Sequence, residues 1–313
     1  DVYKRQVPIP VISVGNITTG GTSKTPMVIA LAEMLDAWGL RVAIVSRGYK
    51  RRRGTAVQVV SDGRGYRAPV EVSGDEPSLL AERLPRAVVI VAKRRYNGAV
   101  LAHKQFGADV ILLDDGFQHR SLYRQIDVVM VDRATLDRYN ALLPAGTLRE
   151  PLASLRRAHV LCAIGVDRSH VNARAACGTV VIGARSRISQ WRTLDGEQSE
   201  PPSGSVVVVC AVARPERFPQ MLEEEFTDLH VVQFLSWRDH HWFTEQDVRR
   251  IITVAQPVRR IVTTEKDAVK LSRFAEQFKQ NGCVVYIACL SLEIPNAEHR
   301  MLESLLWNLR NTR

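Results

Sequence analysis

Apolar stretches of strand length alternate with helix-period stretches through the first half of the chain. Residues 10–14, 42–45, 87–92, 110–113 and 128–131 each form a near-continuous apolar run, the pattern of a strand buried on both faces. Between them, residues 27–38, 77–83 and 96–106 carry helical spacing. In the first of these, Met27, Leu31, Met34, Leu35 and Trp38 recur at intervals of three and four. Strand, helix, strand in repetition predicts an α/β fold, a mostly parallel sheet with helices on both faces. In such folds chemistry gathers at the carboxyl ends of the strands.

Residues 47–74 break the rhythm. They open on Lys50, Arg51, Arg52 and Arg53 and continue through Gly54, Gly63 and Gly65. The stretch reads as a hairpin excursion with a basic loop, or equally as a solvated charge run. Residues 184–204, rich in Ser and closing on Pro201-Pro202-Ser203-Gly204, read as a connection. Beyond it, residues 205–212, 231–234, 261–264 and 284–288 supply a second strand set with helices between. The expected organisation is therefore a larger domain over 1–183, a linker over 184–204 and a smaller α/β domain over 205–313. A length of 313 residues suits two domains.

Composition narrows the class. Lys and Arg number 43 against 33 Asp and Glu, for a net charge of +10, and only eight of the 43 are Lys. Arg grips phosphate and carboxylate bidentately, so the bias fits anionic partners, although genomic base composition produces the same excess. The longest strongly apolar run, residues 206–213, falls far short of the roughly 20 residues that span a bilayer. Lys4 and Arg5 lead into Val7-Pro8-Ile9-Pro10 rather than into the apolar core of a secretory signal. Five cysteines without a CxxC pair suit reduced, cytoplasmic thiols. Neither HExxH nor Cys/His ligand spacing is present to hold zinc.

The most informative segment runs Val11-Ile12-Ser13-Val14-Gly15-Asn16-Ile17-Thr18-Thr19-Gly20-Gly21-Thr22-Ser23-Lys24-Thr25-Pro26. A buried strand enters a loop of small residues that ends in Lys-Thr and opens an amphipathic helix. Small residues let backbone N–H groups curl around phosphate oxygens. Lys24 supplies charge, the Thr25 hydroxyl is placed to ligate Mg²⁺, and the helix start adds its positive dipole end. Pro26 sits where a first-turn proline is tolerated. The strict G-x-x-x-x-G-K-[ST] pattern is not met, because Thr18 and Ser23 stand at its two glycines. Strand before, helix after and Lys-Thr at the junction carry the reading.

Residues 110–113 end in Asp114-Asp115-Gly116-Phe117-Gln118-His119. Two adjacent carboxylates at a strand tip are costly without a nearby cation. In phosphate-loop enzymes that tip faces the metal held by the loop hydroxyl. Asp75, in Gly74-Asp75-Glu76-Pro77, reads either as a helix N-cap or as a general base. Asp239-His240-His241 lies between Trp237 and Trp242, just before a Thr244-x-x-Asp247 helix start. That His pair is an active-site rim or a satisfied surface feature.

Taken together these blocks resemble the tetraacyldisaccharide 4'-kinases, the lipid A 4'-kinases of Gram-negative bacteria. The resemblance rests on Gly15–Pro26, Ser46-Arg47-Gly48-Tyr49, Gly74-Asp75-Glu76-Pro77 and Asp114 to His119. It extends to Leu143-Pro144-Ala145-Gly146, Leu148-Arg149-Glu150-Pro151, Asp239-His240-His241 and Thr264-Glu265-Lys266-Asp267, in family order from about residue 8 to residue 270. It implies transfer of the ATP γ-phosphoryl group to the 4'-hydroxyl of a tetraacyl glucosamine disaccharide 1-phosphate. Carried over residue by residue, Gly20, Gly21, Thr22, Ser23, Lys24 and Thr25 would cradle the nucleotide phosphates, with Arg95 and Arg149 nearby. Thr25, Asp114, Asp115 and Glu150 would serve the Mg²⁺ side. Asp75 would act as base, partnered by His240, and Lys266 has no assigned role. The implied setting is peripheral, on the cytoplasmic face of the bacterial inner membrane, against an anionic surface. A monomer is expected, and no nucleic acid.

Two departures qualify the match. Ser23 stands where the family usually has Gly, at a cost of about 1–3 kcal/mol if the backbone there is strained. The apolar N-terminal helix that usually anchors the family is absent from this chain, which suggests truncation. Two rivals stay open. One is another phosphate-loop NTPase, such as a metallochaperone-like GTPase, because Thr264-Glu265-Lys266-Asp267 mimics a guanine-specificity element apart from the intervening Glu265. The other is a basic nucleic-acid binder, disfavoured by 6% aromatic content and Arg residues not interleaved with aromatics.

Overall fold

A computed structural model describes residues 4–48, 51, 54–137 and 139–310. Tyr49 and the Lys50, Arg52 and Arg53 of the basic cluster lie outside the described residues. The chain divides into two compact units, one built from residues up to Ser186 together with those from Ser291 onward, the other from Arg187–Leu290.

In the first unit the apolar runs form β1 (Val11–Gly15), β2 (Val42–Ser46), β4 (Val88–Ala92), β5 (Val110–Asp114) and β6 (Ile126–Val131). β3 (Val57–Asp62), β7 (Val160–Ile164) and the start of β8 (Val180–Thr193) complete the sheet. Spatial order is β3-β4-β2-β5-β1-β6-β7-β8. All pairings are parallel except β3 with β4. Parallel central strands need cover on both faces, which is why their sequences are apolar throughout rather than alternating. The helices α1 (Lys24–Ala37), α2 (Val70–Ser73), α3 (Asp75–Arg83) and α4 (Arg95–Phe106) fill the crossovers. α1 buries Met27, Leu31, Met34 and Leu35 against Ile12, Val14 and Leu112, at about 1.5–3 kcal/mol per fully buried side chain.

β1 lies between β5 and β6; from it the chain runs out to β2, β3 and β4 on one side, returns to β5, and crosses to β6 and β7 on the other. That reversal of winding leaves a crevice at the carboxyl ends of β1 and β5, where such folds bind ligands. The excursion over 47–74 contributes β3, antiparallel to β4 with a register shift between Val59 and Ser61, and an isolated bridge from Ser61 to Arg67.

The second unit holds β10 (Gly204–Cys210), β11 (Leu229–Ser236), β12 (Arg260–Thr264) and β13 (Val284–Glu293) in the order β11-β10-β12-β13, all parallel. Its core includes Val207, Val209, Phe243, Ile251 and Phe278. Where the sequence reads as a linker over 184–204, the chain instead continues β8 to Thr193 and pairs Trp191 and Arg192 with β9 (Gln198–Ser199). Polar residues between Ile188 and Trp191 disguise the strand, yet both of those side chains are buried. The C-terminal helix Asn296–Arg310 belongs to the first unit, whose core takes Leu302 and Leu306.

Candidate active site

The phosphate-loop segment is held from within. Asn16 is fully buried, and its amide donates to Thr18 Oγ1 at 3.1 Å and Thr22 Oγ1 at 2.8 Å. Lys24 Nζ reaches Asn16 Oδ1 at 3.4 Å and Asp115 at 3.6 Å. Gly15 leaves β1 so close to the following turn that a Cβ there would lie 2.6 Å from Phe117 Cβ. A Cβ on Gly21 would meet nothing within 4 Å, so that side of the loop is open. Gly20 has φ 100° and Ser23 φ 57°, ψ 31°, both in the left-handed region. Ser23 occupies the N-cap of α1, but its side chain makes no capping hydrogen bond. The first turn therefore keeps its N–H groups and its dipole unspent by Ser23.

The two adjacent carboxylates are driven in opposite directions. Asp114, at the tip of β5, is buried and accepts from Ser46 Oγ at 3.1 Å. Burial raises its pKa, and the charges of Glu76 and Asp115 add to that, lifting it to about 7 against Lys24 and the Ser46 hydrogen bond. Burial is the largest influence on Asp115 and raises it, but a bidentate hydrogen bond from Arg149, 2.9 Å at each oxygen, opposes it together with the Arg149 charge. With Lys24 and Arg95 assisting, Asp115 falls to about 2. Arg149 also donates to the Asn16 side chain, which ties the loop to the acidic tip. Glu150 accepts from Gln118 at 3.1 Å and pairs with Arg157 at 2.7 Å. Gln118 in turn donates to the Asn16 carbonyl at 2.8 Å. Asp115 and Glu150 are thus committed to guanidinium partners, while Asp114 carries its excess negative potential with a single hydroxyl bonded to it.

That imbalance suits a divalent cation. Asp114 and the Thr25 hydroxyl offer hard oxygen donors, the kind Mg²⁺ takes from one or two protein groups plus phosphates. Among the described residues no group of three or more His, Cys, Asp or Glu is arranged to hold a metal unaided. Arg95 opens α4, is 3% exposed, and sends Nη2 toward the Asp114 carbonyl at 3.5 Å. Its Nε has no hydrogen-bond partner among the described residues, an unmet donor that an anionic ligand would satisfy. Asp75 is the first residue of α3, after Gly74 at the N-cap, so it is not the cap. It is buried, and one oxygen accepts from the Glu76 N–H at 3.0 Å.

His240 belongs to the second unit. Its Nε2 lies 3.3 Å from Lys266 Nζ and 3.5 Å from Asp239, which itself pairs with Lys266 at 3.1 Å. Its φ is 63°. His241 is spent on structure: it stacks on Trp237 and bonds Asp247 at 2.9 Å. Asp247 closes a capping box with Thr244 and accepts from Trp237 Nε1. Burial alone would raise Asp247, but His241, Thr244 and Trp237 hold it near 2. Asp267 is buried and accepts from the Ala211 N–H and from the Thr264 hydroxyl, each at 2.8 Å. Its other oxygen pairs with buried Lys270 at 2.9 Å.

The structure thus brings Lys24, Asp114, Asp115 and Arg149 together in the first unit, with Glu150 joined through Gln118. Asn16, Gln118, Ser46 and Glu76 have no role in the sequence reading yet connect or charge this cluster. A buried amide directly after a strand-ending Gly was the available signal for Asn16, since such a side chain must find both donors and acceptors nearby.

Comparison with known proteins extends the pattern beyond the site. Residues 2–308 match the model of a family described as tetraacyldisaccharide-1-P 4'-kinase. A tetraacyldisaccharide 4'-kinase of Chlorobaculum tepidum is 37% identical over 96% of this chain and 88% of its own length. One from Anaeromyxobacter sp. (strain Fw109-5) is 38% identical over 95% and 82%. A crystal structure of LpxK from Aquifex aeolicus in complex with ATP matches 98% of this chain and 90% of that chain, with 28% identity and a TM-score of 0.77.

Proposed function

The chain belongs to the tetraacyldisaccharide-1-P 4'-kinase family, and on that premise we propose that it transfers the γ-phosphoryl group of ATP to the 4'-hydroxyl of a tetraacyl disaccharide 1-phosphate, in lipid A biosynthesis. The observation that carries the proposal is the joined cluster of Lys24, Asn16, Asp115 and Arg149 beside an open helix start. Phosphoryl transfer asks a protein chiefly for positioning and charge neutralisation, and this cluster is built for both.

The loop from Gly20 to Ser23 and the first turn of α1 bind the β- and γ-phosphates through backbone N–H groups, with Lys24 as the positive charge. Arg95 offers its unmet N–H to a phosphate oxygen. Thr25 and Asp114 would hold Mg²⁺, which would supply neutralisation of phosphate charge. Asp115 and Glu150 act through Arg149, Gln118 and Arg157, keeping the metal side in register. Asp75 accepts the proton of the attacking hydroxyl. The enzyme works as a monomer on the cytoplasmic face of the inner membrane, held peripherally by its basic surface at about 1 kcal/mol per residue near anionic lipid. Among the described residues no helix is long and apolar enough to cross a membrane.

Transfer of radiolabel from γ-labelled ATP to the disaccharide lipid in detergent tests the reading. Lys24→Ala is expected to lose turnover by about 10²–10³-fold. Asp75→Ala is expected to lose about 10²–10⁴-fold while ATP still binds. Unlabelled lipid despite tight ATP binding by the unaltered protein refutes the proposed acceptor. Full turnover by Asp75→Ala refutes the assigned base.

A further inference from the structure

Ser23 presents a problem that its neighbours solve. It is a β-carbon-bearing residue at φ 57°, ψ 31°, a conformation that L side chains rarely adopt, directly before Lys24 and Thr25. It also stands at the N-cap, where a serine hydroxyl ordinarily turns back to accept from the backbone N–H groups of the first turn. Here it does not. Its Oγ lies 2.7 Å from the Oγ of Ser186, on β8, and the two hydroxyls share a hydrogen bond. Ser186 is 163 residues away in sequence and is the last residue of its stretch of the first unit.

We infer that Ser186 is a positioning residue for nucleotide binding, holding the Ser23 hydroxyl away from the helix start so that the first-turn N–H groups remain available to phosphate. Two effects combine. The hydrogen bond stabilises a backbone geometry that would otherwise suit only glycine. It also occupies the one side chain in the loop placed to cap α1 and compete with the ligand for those donors. Remove the Ser186 hydroxyl, and Ser23 is free either to relax out of the left-handed region or to swing onto the helix end. Both outcomes disfavour phosphate. Neither applies when residue 23 has no side chain, so the need for Ser186 depends on Ser23. This inference rests on the reading of residues 20–25 as the ATP phosphate site.

The test is a double-mutant cycle read as Mg²⁺-ATP affinity by calorimetry, with the thermal midpoint followed in parallel. Ser186→Ala is expected to weaken ATP binding about 5- to 10-fold, the scale of one lost hydrogen bond. Ser186→Thr, which keeps the hydroxyl, is expected to bind within about twofold of the unaltered protein. In the Ser23→Gly background, adding Ser186→Ala is expected to change the affinity of that background by no more than about twofold. A merely structural role for Ser186 would lower the midpoint equally in both backgrounds and leave no coupling in affinity. Either of two results overturns the inference: ATP affinity unchanged in Ser186→Ala, or an equal loss in the Ser23→Gly background. If the unaltered protein binds no ATP, the reading of the loop fails instead, a result distinct from both.

Discussion

The helix that starts at Lys24 and the helix that starts at Glu265 each follow a parallel strand, and each carries Thr and Lys at the junction. They treat their first turns differently. At the second junction, Thr264 accepts from the Asp267 N–H at 3.2 Å and donates its hydroxyl to the Asp267 carboxylate. Asp267 is itself occupied by the Ala211 N–H and by Lys270. That start is closed by its own side chains. At the first junction the N-cap side chain turns away, the loop braces itself through Asn16, and a lysine extends beside an acidic strand tip. A closed start is scaffold, and an open one retains dipole and donors for a ligand. The contrast also removes the guanine-binding rival, because an Asp already engaged by an amide, a hydroxyl and an ammonium has no free edge for a base.

The comparison breaks first at Asp267. If its role is scaffold, Asp267→Ala removes the carboxylate that faces buried Lys270 at 2.9 Å, and the second unit should lose about 3–5 kcal/mol of stability in urea denaturation. ATP-over-GTP preference should not change. A stable variant with altered nucleotide preference would reverse the assignment.

The next test is pH. Asp114 has its folded pKa raised from 3.8 to about 7. Below the lower value the carboxyl is protonated in both folded and unfolded chains and carries no penalty. Between the two, the unfolded chain ionises while the folded one keeps its proton, so stability falls as pH rises. Above about 7 the penalty is complete. Asp114→Asn removes it and can keep an oxygen for the Ser46 hydroxyl. Without nucleotide or metal, the variant should gain on the order of 2–4 kcal/mol over the unaltered protein at pH 8 and little near pH 4. It should nevertheless lose turnover, since the charge that destabilises the apo protein is the one offered to the cation. No gain at pH 8 would mean that Asp114 is already neutralised within the fold.

Much of this was legible beforehand, for identifiable reasons. Strands β1, β2, β4, β5 and β6 are buried on both faces, so their composition alone betrays them. The Thr244–Asp247 capping box is a local device and reads locally. What escaped depends on contacts distant in sequence. Arg149 finds Asn16 across 133 positions and Asp115 across 34, and no local pattern announces either. β8 hides because only Ile188 and Trp191 of its polar stretch face a core. The helix Asn296–Arg310 joins the first unit by packing Leu302 and Leu306 into a core formed nearly 300 residues earlier. The site follows the same rule. Lys24, Thr25, Asp114 and Asp115 announce themselves by type and spacing, whereas the opposite titration of two neighbouring carboxylates is a property of burial and of who faces whom.

The smallest effect is also the most direct probe of the contrast. Thr264→Ala removes a cap that serves the Asp267 N–H, and the expected loss is about 1 kcal/mol, measured as a shift in urea midpoint. Ser23→Gly removes a residue that occupies the equivalent position without capping anything. There the relief of a left-handed φ at a Cβ-bearing residue offsets the lost hydroxyl contact, and the greater freedom of Gly in the unfolded chain takes back part of the gain. The net change should lie within about 0.5 kcal/mol of zero. If instead Ser23→Gly costs as much as Thr264→Ala, the Ser23 side chain contributes to stability as a cap does. The start of α1 would then be closed in solution, and the phosphates would have to displace it.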